Sequence, residues 1–440
     1  MLVKEKNEFI CENISRSESG ELCFAGMPLT ALAKEYGTPL YLYDEERIRE
    51  RCRTYINAIR ATFGECGQVL YASKAASFRR LYEIMREEGM GIDVVSSGEI
   101  YTALLAKFPL ERAYFHSNNK TDEDIAYAID SGVGYFVVDN EEELVVIDSI
   151  AGEKGKKQRI LLRITPGIDP HTYAAVATGK VDSKFGSAIE TGQASAITAL
   201  ALSLPNIELR GFHCHIGSQV FDSDIYLRAA DVMLDFVADM NATHGFLAAE
   251  LDLGGGYGVR YIAEQPEIDI AKNIAEVGAF IKEKVAALGI AMPKISFEPG
   301  RSIVADAGLT VYKVGTVKRI PGYKTYVSVD GGMADNPRFA LYGSPYTIIP
   351  VDSYAGEPTE TVSVVGRCCE SGDILQENIP MPSAIKRGAL IACLTTGAYH
   401  YSMSSNYNRL TRPPVVMLSG GKSYVAVKKE TVEHLTALEL

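Results

Sequence analysis

Between residues 68 and 300 the chain repeats one pattern: a short β-rich apolar run, a small or polar turn, then a stretch with apolar residues at helical spacing. The strand candidates are 68–74, 90–96, 113–117, 134–139, 159–165, 209–217, 250–256 and 294–300. Between them, segments such as 77–89, 97–108, 121–132, 223–240 and 270–289 carry an apolar face; in the first, Leu81, Ile84 and Met85 share it. Several of these open on Ser, Thr or Asp followed by an acid, the signature of an N-cap. Eight βα units predict a (β/α)8 barrel, because a doubly wound sheet rarely needs so many. After about residue 305 the helical spacing yields to short β-rich runs at 309–320, 325–332, 361–369, 389–394 and 414–427. Pro and Gly turns separate these runs, as in an antiparallel sheet or Greek-key barrel. Phe9 to Pro28 reads as a further short strand pair. The predicted organisation is α/β, with a TIM barrel over 39–304 and a mostly antiparallel β-domain over 305–440, which the strands of 1–38 join.

At 440 residues the chain exceeds one ordinary core, in keeping with two domains. A net charge of -12 repels nucleic acid and anionic lipid over most of the surface, although a local basic patch can still hold a phosphate. The first twenty residues are charged throughout and contain no apolar signal core, and no run of about 18 apolar residues suggests a membrane span. The eight cysteines are scattered without a CxxC pair, so reduced thiols and a cytoplasmic location are expected.

The unusual polar residues cluster at the predicted C-terminal strand ends: Lys74, Asp93, Asn118, Arg163, His215, Ser218, Gly254 to Gly256, and Glu298 to Arg301. Barrel enzymes place their active sites on that face. Lys74 closes the first strand in YASKAAS; burial there would lower its pKa and make the amine nucleophilic toward an aldehyde, but by position alone it reads equally as a surface lysine. The glycines 254–256 and the loop Glu298-Pro-Gly-Arg301 follow strands seven and eight, where barrels often bind phosphate through backbone N–H groups. The segment HCHIGSQ (213–219) offers an HxH pair that could ligate a metal, a reading that lacks an acidic ligand cluster. The alternative gives His215 a ring to stack on and Ser218 a phosphate to reach, with His213 an ordinary strand residue. Glu298 is either a salt-bridge partner or the acceptor for a protonated pyridine nitrogen.

Together YASKA, DSKFG (182–186), HCHIGSQ, LGGGYG, EPGRSIV, DGGMADNPRFALYG (330–343), CESGD (369–373) and GAY with SMSSNYN (397–408) resemble diaminopimelate decarboxylases. These are pyridoxal-phosphate enzymes of the alanine-racemase-like group, and the resemblance runs in order along the whole chain. It implies pyridoxal 5'-phosphate, no catalytic metal, and a head-to-tail homodimer with shared active sites and a small amino acid as substrate. By the same resemblance Lys74 is the Schiff-base lysine, His215 the ring-stacking residue and Glu298 the partner of the pyridine nitrogen. Ser218, Gly255, Gly256, Gly300, Arg301 and Tyr399 correspond to the cofactor-phosphate site. Cys369 matches the proton donor supplied across the dimer interface, and Arg301, Arg338, Tyr342, Glu370 and Tyr399 match substrate contacts. The chain departs from the family at Arg367-Cys368 before CESGD and at His400 after GAY, both expected near the substrate pocket.

The implied reaction is decarboxylation of meso-2,6-diaminopimelate to L-lysine and CO2, the last step of lysine biosynthesis. Arg338 would fork onto the distal carboxylate and Glu370 would hold the distal ammonium. Two other readings stay open: a same-fold decarboxylase of D-ornithine, D-lysine, L-ornithine or arginine, and an inactive regulatory homologue. Glu298 speaks against an alanine racemase. Retention of Lys74, Glu298 and Cys369 together speaks against the inactive homologue.

Overall fold

The computed structural model describes residues 9–168 and 183–440, so Asp182, which opens the DSKFG motif, lies outside the described residues. Two compact units divide the chain: residues 51–258 with 267–302, and the remainder, which comprises the chain up to Glu50, Val259–Pro266 and Ile303–Leu440.

The first unit is a closed barrel of eight parallel strands, Gly67–Ala72, Gly91–Val94, Ala113–Phe115, Tyr135–Val138, Gln158–Thr165, Ile207–His213, Glu250–Asp252 and Lys294–Phe297. Each pairs with the next in sequence, and Ile295–Phe297 returns to Gly67–Val69 to close the ring. The strands are buried on both faces, by the barrel interior and by the helices, so they read as continuous apolar runs rather than alternating ones. The expected caps are made: the side chains of Ser96, Thr121, Asn140, Asp222 and Asp269 each accept a backbone N–H in the first turn of the helix that follows. The last three strands stop at His213, Asp252 and Phe297, earlier than their apolar patterns suggest. This leaves His215, Ser218, the glycines 254–256 and Glu298 to Arg301 in the loops of the C-terminal face. Among the described residues no helix is long and apolar enough to cross a membrane.

In the second unit the 13-residue strand Gly308–Ile320 pairs antiparallel with Lys324–Val329, Leu390–Cys393 and Leu40–Asp44. Val415–Ser419 lies parallel to Leu40–Asp44 and turns back into Lys422–Val427 through Gly420 and Gly421, both at positive φ, as a two-residue hairpin loop requires. The N-terminal strands Ile14–Arg16, Leu22–Phe24 and Met27–Pro28 form a small sheet of their own instead of joining the large one. They pack on it: Ile14, Leu22 and Phe24 share a core with Leu309, Val311 and Val416. The N-terminal segment that does enter the large sheet is Leu40–Asp44, which the sequence pattern had given to the barrel. All five of its residues are buried, and strands cover both its edges.

A buried carboxylate ties the barrel interior together near the strands' N-terminal ends. Glu250 accepts the Tyr114 hydroxyl at 2.9 Å and the Tyr135 hydroxyl at 2.8 Å, and the two phenol rings stack 4.3 Å apart. A buried hydroxyl that loses its partner costs about 1–3 kcal/mol. Glu250→Ala is therefore expected to lower unfolding free energy by about 2–5 kcal/mol, and Glu250→Gln by clearly less, as read by urea denaturation.

Candidate active site

Strand register assembles the floor of the barrel mouth. Arg163, His213, Asp252 and Ser296 lie side by side on four adjacent strands. Glu298, two residues beyond Ser296, faces the same way by the two-residue alternation of a strand. His116 follows the third strand, and its backbone N–H donates to Val94. These positions converge. His213 Nε2 bonds Glu298 Oε2 at 3.1 Å, and His116 Nε2 stands 2.8 Å from Oε1 but off the ring N–H axis.

Burial pushes the Glu298 carboxyl up, yet His116 and His213 outweigh it and hold the group well below the usual carboxylate range. Its neighbours behave in the opposite way. Burial and the charge of Glu298 drive Asp252 well above its ordinary value. Burial raises Asp93 to about 6, with His116 and Lys74 pulling downward. Glu298 thus holds the most firmly ionised carboxylate of the pocket floor. The sequence reading denied the HxH pair an acidic companion and took His213 for an ordinary strand residue; both points are corrected by Glu298, which a linear pattern could not set beside residues 85 and more positions away. The two Nε2 atoms face separate oxygens of a single carboxylate.

Around this floor lie the loops. Lys74 sits in the 3-10 turn Ser73–Ala75, fixed by the Ser73 hydroxyl donating to the Asp93 carbonyl at 2.6 Å. Its side chain is exposed, and the carboxyls of Asp93 and Glu99 are among the charges it faces. His215 accepts the Gly255 N–H through Nδ1 at 3.3 Å, and burial, reinforced by Lys74 and Arg163, keeps the imidazole neutral. A side chain at Gly255 would come within 2.2 Å of the Glu298 carbonyl, and one at Gly256, whose φ is +115°, within 2.4 Å of the Gly217 carbonyl. Gly300 is as tightly held, its added Cβ meeting Ala72 at 2.9 Å. Arg301 donates to the Ser218 hydroxyl from Nε at 3.2 Å and Nη2 at 2.8 Å. The DSKFG motif contributes Phe185, whose ring lies 4.3 Å under the Arg163 guanidinium.

These features fit a pyridoxal phosphate. Side-chain-free loops after strands seven and eight, with Ser218 and Arg301 beside them, suit a phosphate. The neutral His215 ring suits an aromatic face. Buried Glu298 Oε1, which lacks an aligned donor, suits a pyridinium N–H.

The second unit carries the remaining candidates. Arg338, buried, opens the helix Arg338–Tyr342, its guanidinium 5.2 Å from the Tyr342 ring and 5.3 Å from the Tyr399 ring. Its Nη2 reaches Ser344 at 3.3 Å, while Nε has no acceptor, and among the described residues no carboxylate pairs with it. Cys369 and Glu370 are exposed on a loop held by Asp373, which accepts the N–H groups of Met333 and Cys368 at 2.6 Å each. The Cys369 N–H donates to Asn408 at 2.6 Å. Burial and Asp373 push the neighbouring Cys368 thiol up to about 11. His400 is fully buried, bonded to the Ala398 carbonyl at 2.9 Å and set edge-on against Tyr346. Its ring thus packs within this unit.

A family model described as pyridoxal-dependent decarboxylase, pyridoxal binding domain, matches residues 45–305. The chain is 43% identical over 425 residues to the diaminopimelate decarboxylase of Bacillus methanolicus, covering 96% of this chain and 97% of that protein. It superposes on the M. jannaschii diaminopimelate decarboxylase in co-complex with L-lysine with a TM-score of 0.91, at 32% identity and 98% coverage of each chain. The Helicobacter pylori enzyme complexed with L-lysine gives 0.85 at 30% identity, over 93% of this chain and 99% of that one. With barrel, cofactor pocket and full-length similarity in agreement, the chain belongs to the diaminopimelate decarboxylase family of pyridoxal-dependent decarboxylases.

Proposed function

We propose that the chain decarboxylates meso-2,6-diaminopimelate to L-lysine and CO2. The observation that carries the substrate is Arg338: a buried guanidinium with no carboxylate beside it among the described residues is costly unless a ligand supplies one. Diaminopimelate has a carboxylate at its far end; lysine and ornithine do not. In this reading pyridoxal phosphate, bound at Lys74, supplies the electron sink for the charge left as CO2 departs. Glu298 holds the ring nitrogen, His215 covers one ring face, and Ser218, Gly255, Gly256, Gly300, Arg301 and Tyr399 hold the phosphate. Arg301, Arg338, Tyr342, Glu370 and Tyr399 orient the substrate, with Glu370 on the distal ammonium.

Cys369 then delivers a proton to Cα, a task suited to a thiol, whose unperturbed pKa of about 8.5 lets it donate and recover near neutrality. Two copies associate so that Cys369 and Glu370 of one complete the pocket of the other. What supports this is their joint exposure on a loop pinned from behind by Asp373 and Asn408. The eight cysteines, none of them in a disulfide, suit the cytoplasm, where thiols stay reduced.

Three outcomes test this reading. Borohydride reduction should attach the cofactor to Lys74, which peptide mapping detects; a label on a different lysine would overturn the assignment. Cys369→Ala should still bind substrate but turn over about 10²–10⁴-fold more slowly, and mixing it with Lys74→Ala should restore some activity by rebuilding one whole site per heterodimer. No recovery after proven subunit exchange would remove the shared-site model. Arg338→Ala should lower kcat/KM for meso-diaminopimelate by about 10²-fold, the low end of the cost of truncating one side of a desolvated charge pair, with Arg338→Lys rescuing poorly because a point charge cannot form the fork. A wild type that prefers L- or D-lysine would sink the substrate assignment and leave the decarboxylase standing.

A further inference from the structure

Three buried carboxyls, Asp93, Asp252 and Glu298, share the floor of the barrel mouth, each no more than 6% exposed. Neighbouring carboxyls in a dry site do not ionise equally, so something must decide which one holds its charge most firmly. The geometry points to His116 and His213. Their rings meet edge to face with centroids 4.9 Å apart, and the two Nε2 atoms reach the two oxygens of Glu298, at 2.8 and 3.1 Å. His116 Nε2 stands 4.0 Å from the Asp93 carboxylate, so it favours Glu298 by distance. His213 Nδ1 is buried without a partner. A charged imidazolium would strand a buried N–H there, so His213 is the neutral tautomer with its proton on Nε2, aimed at Glu298. Asp252, across the same floor, spends one oxygen on the Gly254 N–H at 2.8 Å and receives no imidazole.

We propose that His116 and His213 are positioning residues: His213 donates to one oxygen of Glu298 and His116 stands against the other, and together they hold the ionised carboxylate in the direction in which it accepts the ring N–H of bound pyridoxal phosphate. This rests on the assignment of Glu298 to the ring nitrogen. Neither histidine touches the reacting atoms; both act through the carboxylate.

The test compares equilibrium binding of pyridoxal phosphate with that of its analogue carrying C–H in place of the ring nitrogen. Both have the same aldehyde and phosphate, so the ratio isolates the contact with Glu298. The full-length protein stripped of cofactor is used, with folding checked by thermal unfolding. The wild type should prefer the natural cofactor, and Glu298→Gln should abolish the preference. His213→Leu should shrink it about tenfold, the size of one hydrogen bond to a charged group, and His116→Leu should also shrink it, by less. His213→Gln, whose amide N–H extends as far as Nε2, should keep most of the preference. His213→Asn, of the same chemistry but shorter reach, should lose it, and this pair decides the matter if a leucine variant fails to fold. Equal preference in His213→Gln, His213→Asn and the wild type would overturn the proposal. An unchanged preference in Glu298→Gln would instead overturn the reading of Glu298 itself.

Discussion

One buried negative charge organises the barrel mouth. A carboxylate taken out of water is stable only if neighbours replace its hydration, and Glu298 receives two imidazoles for that purpose. The same charge has consequences around it. It helps keep Asp252 protonated and raises Asp93, which leaves Glu298 the most firmly ionised of the three. His215, by contrast, sits where burial and the cations Lys74 and Arg163 leave it neutral. A flat uncharged ring thus stands near a focused anion, an arrangement suited to a heteroaromatic ring with one protonated nitrogen.

The phosphate side follows from a second constraint, the closeness of backbone to backbone. The loops after strands seven and eight touch so tightly that any Cβ at Gly255 would enter the Glu298 carbonyl. The glycines are there because a Cβ at these positions would run into neighbouring backbone, and they let the two loops, with Ser218 and Arg301 beside them, close around a small anion. In the other unit, Arg338 is the counterpart of Glu298: a buried ion placed among aromatic faces, with an unfilled donor.

Much of this was legible in the chain. The eight strands and their helices follow from apolar periodicity, since each strand is covered on both faces and each helix on one. That chemistry gathers at the strand ends, that glycines open the last two loops, and that Lys74, Cys369 and Arg338 sit in motifs of a decarboxylase family are all properties of linear order. The antiparallel character of the C-terminal unit is likewise written in its short runs and Gly-Gly turn.

Tertiary structure decided the rest. The role of His213 depends on Glu298, 85 positions away, and register across closed strands is invisible to a one-dimensional pattern. Leu40–Asp44 looks like any buried strand, and only the pairing with Gly308–Val311 and Val415–Leu418 assigns it to the β-sheet unit. His400 stands beside a motif tyrosine, yet its ring packs inward on Tyr346. Lys74 lies at the end of an apolar strand, but the 3-10 turn after that strand carries its side chain out to an exposed position. Sequence determines which groups are present and on which element; burial and the distances between groups far apart in the chain, which set their charge, exist only once the barrel has closed.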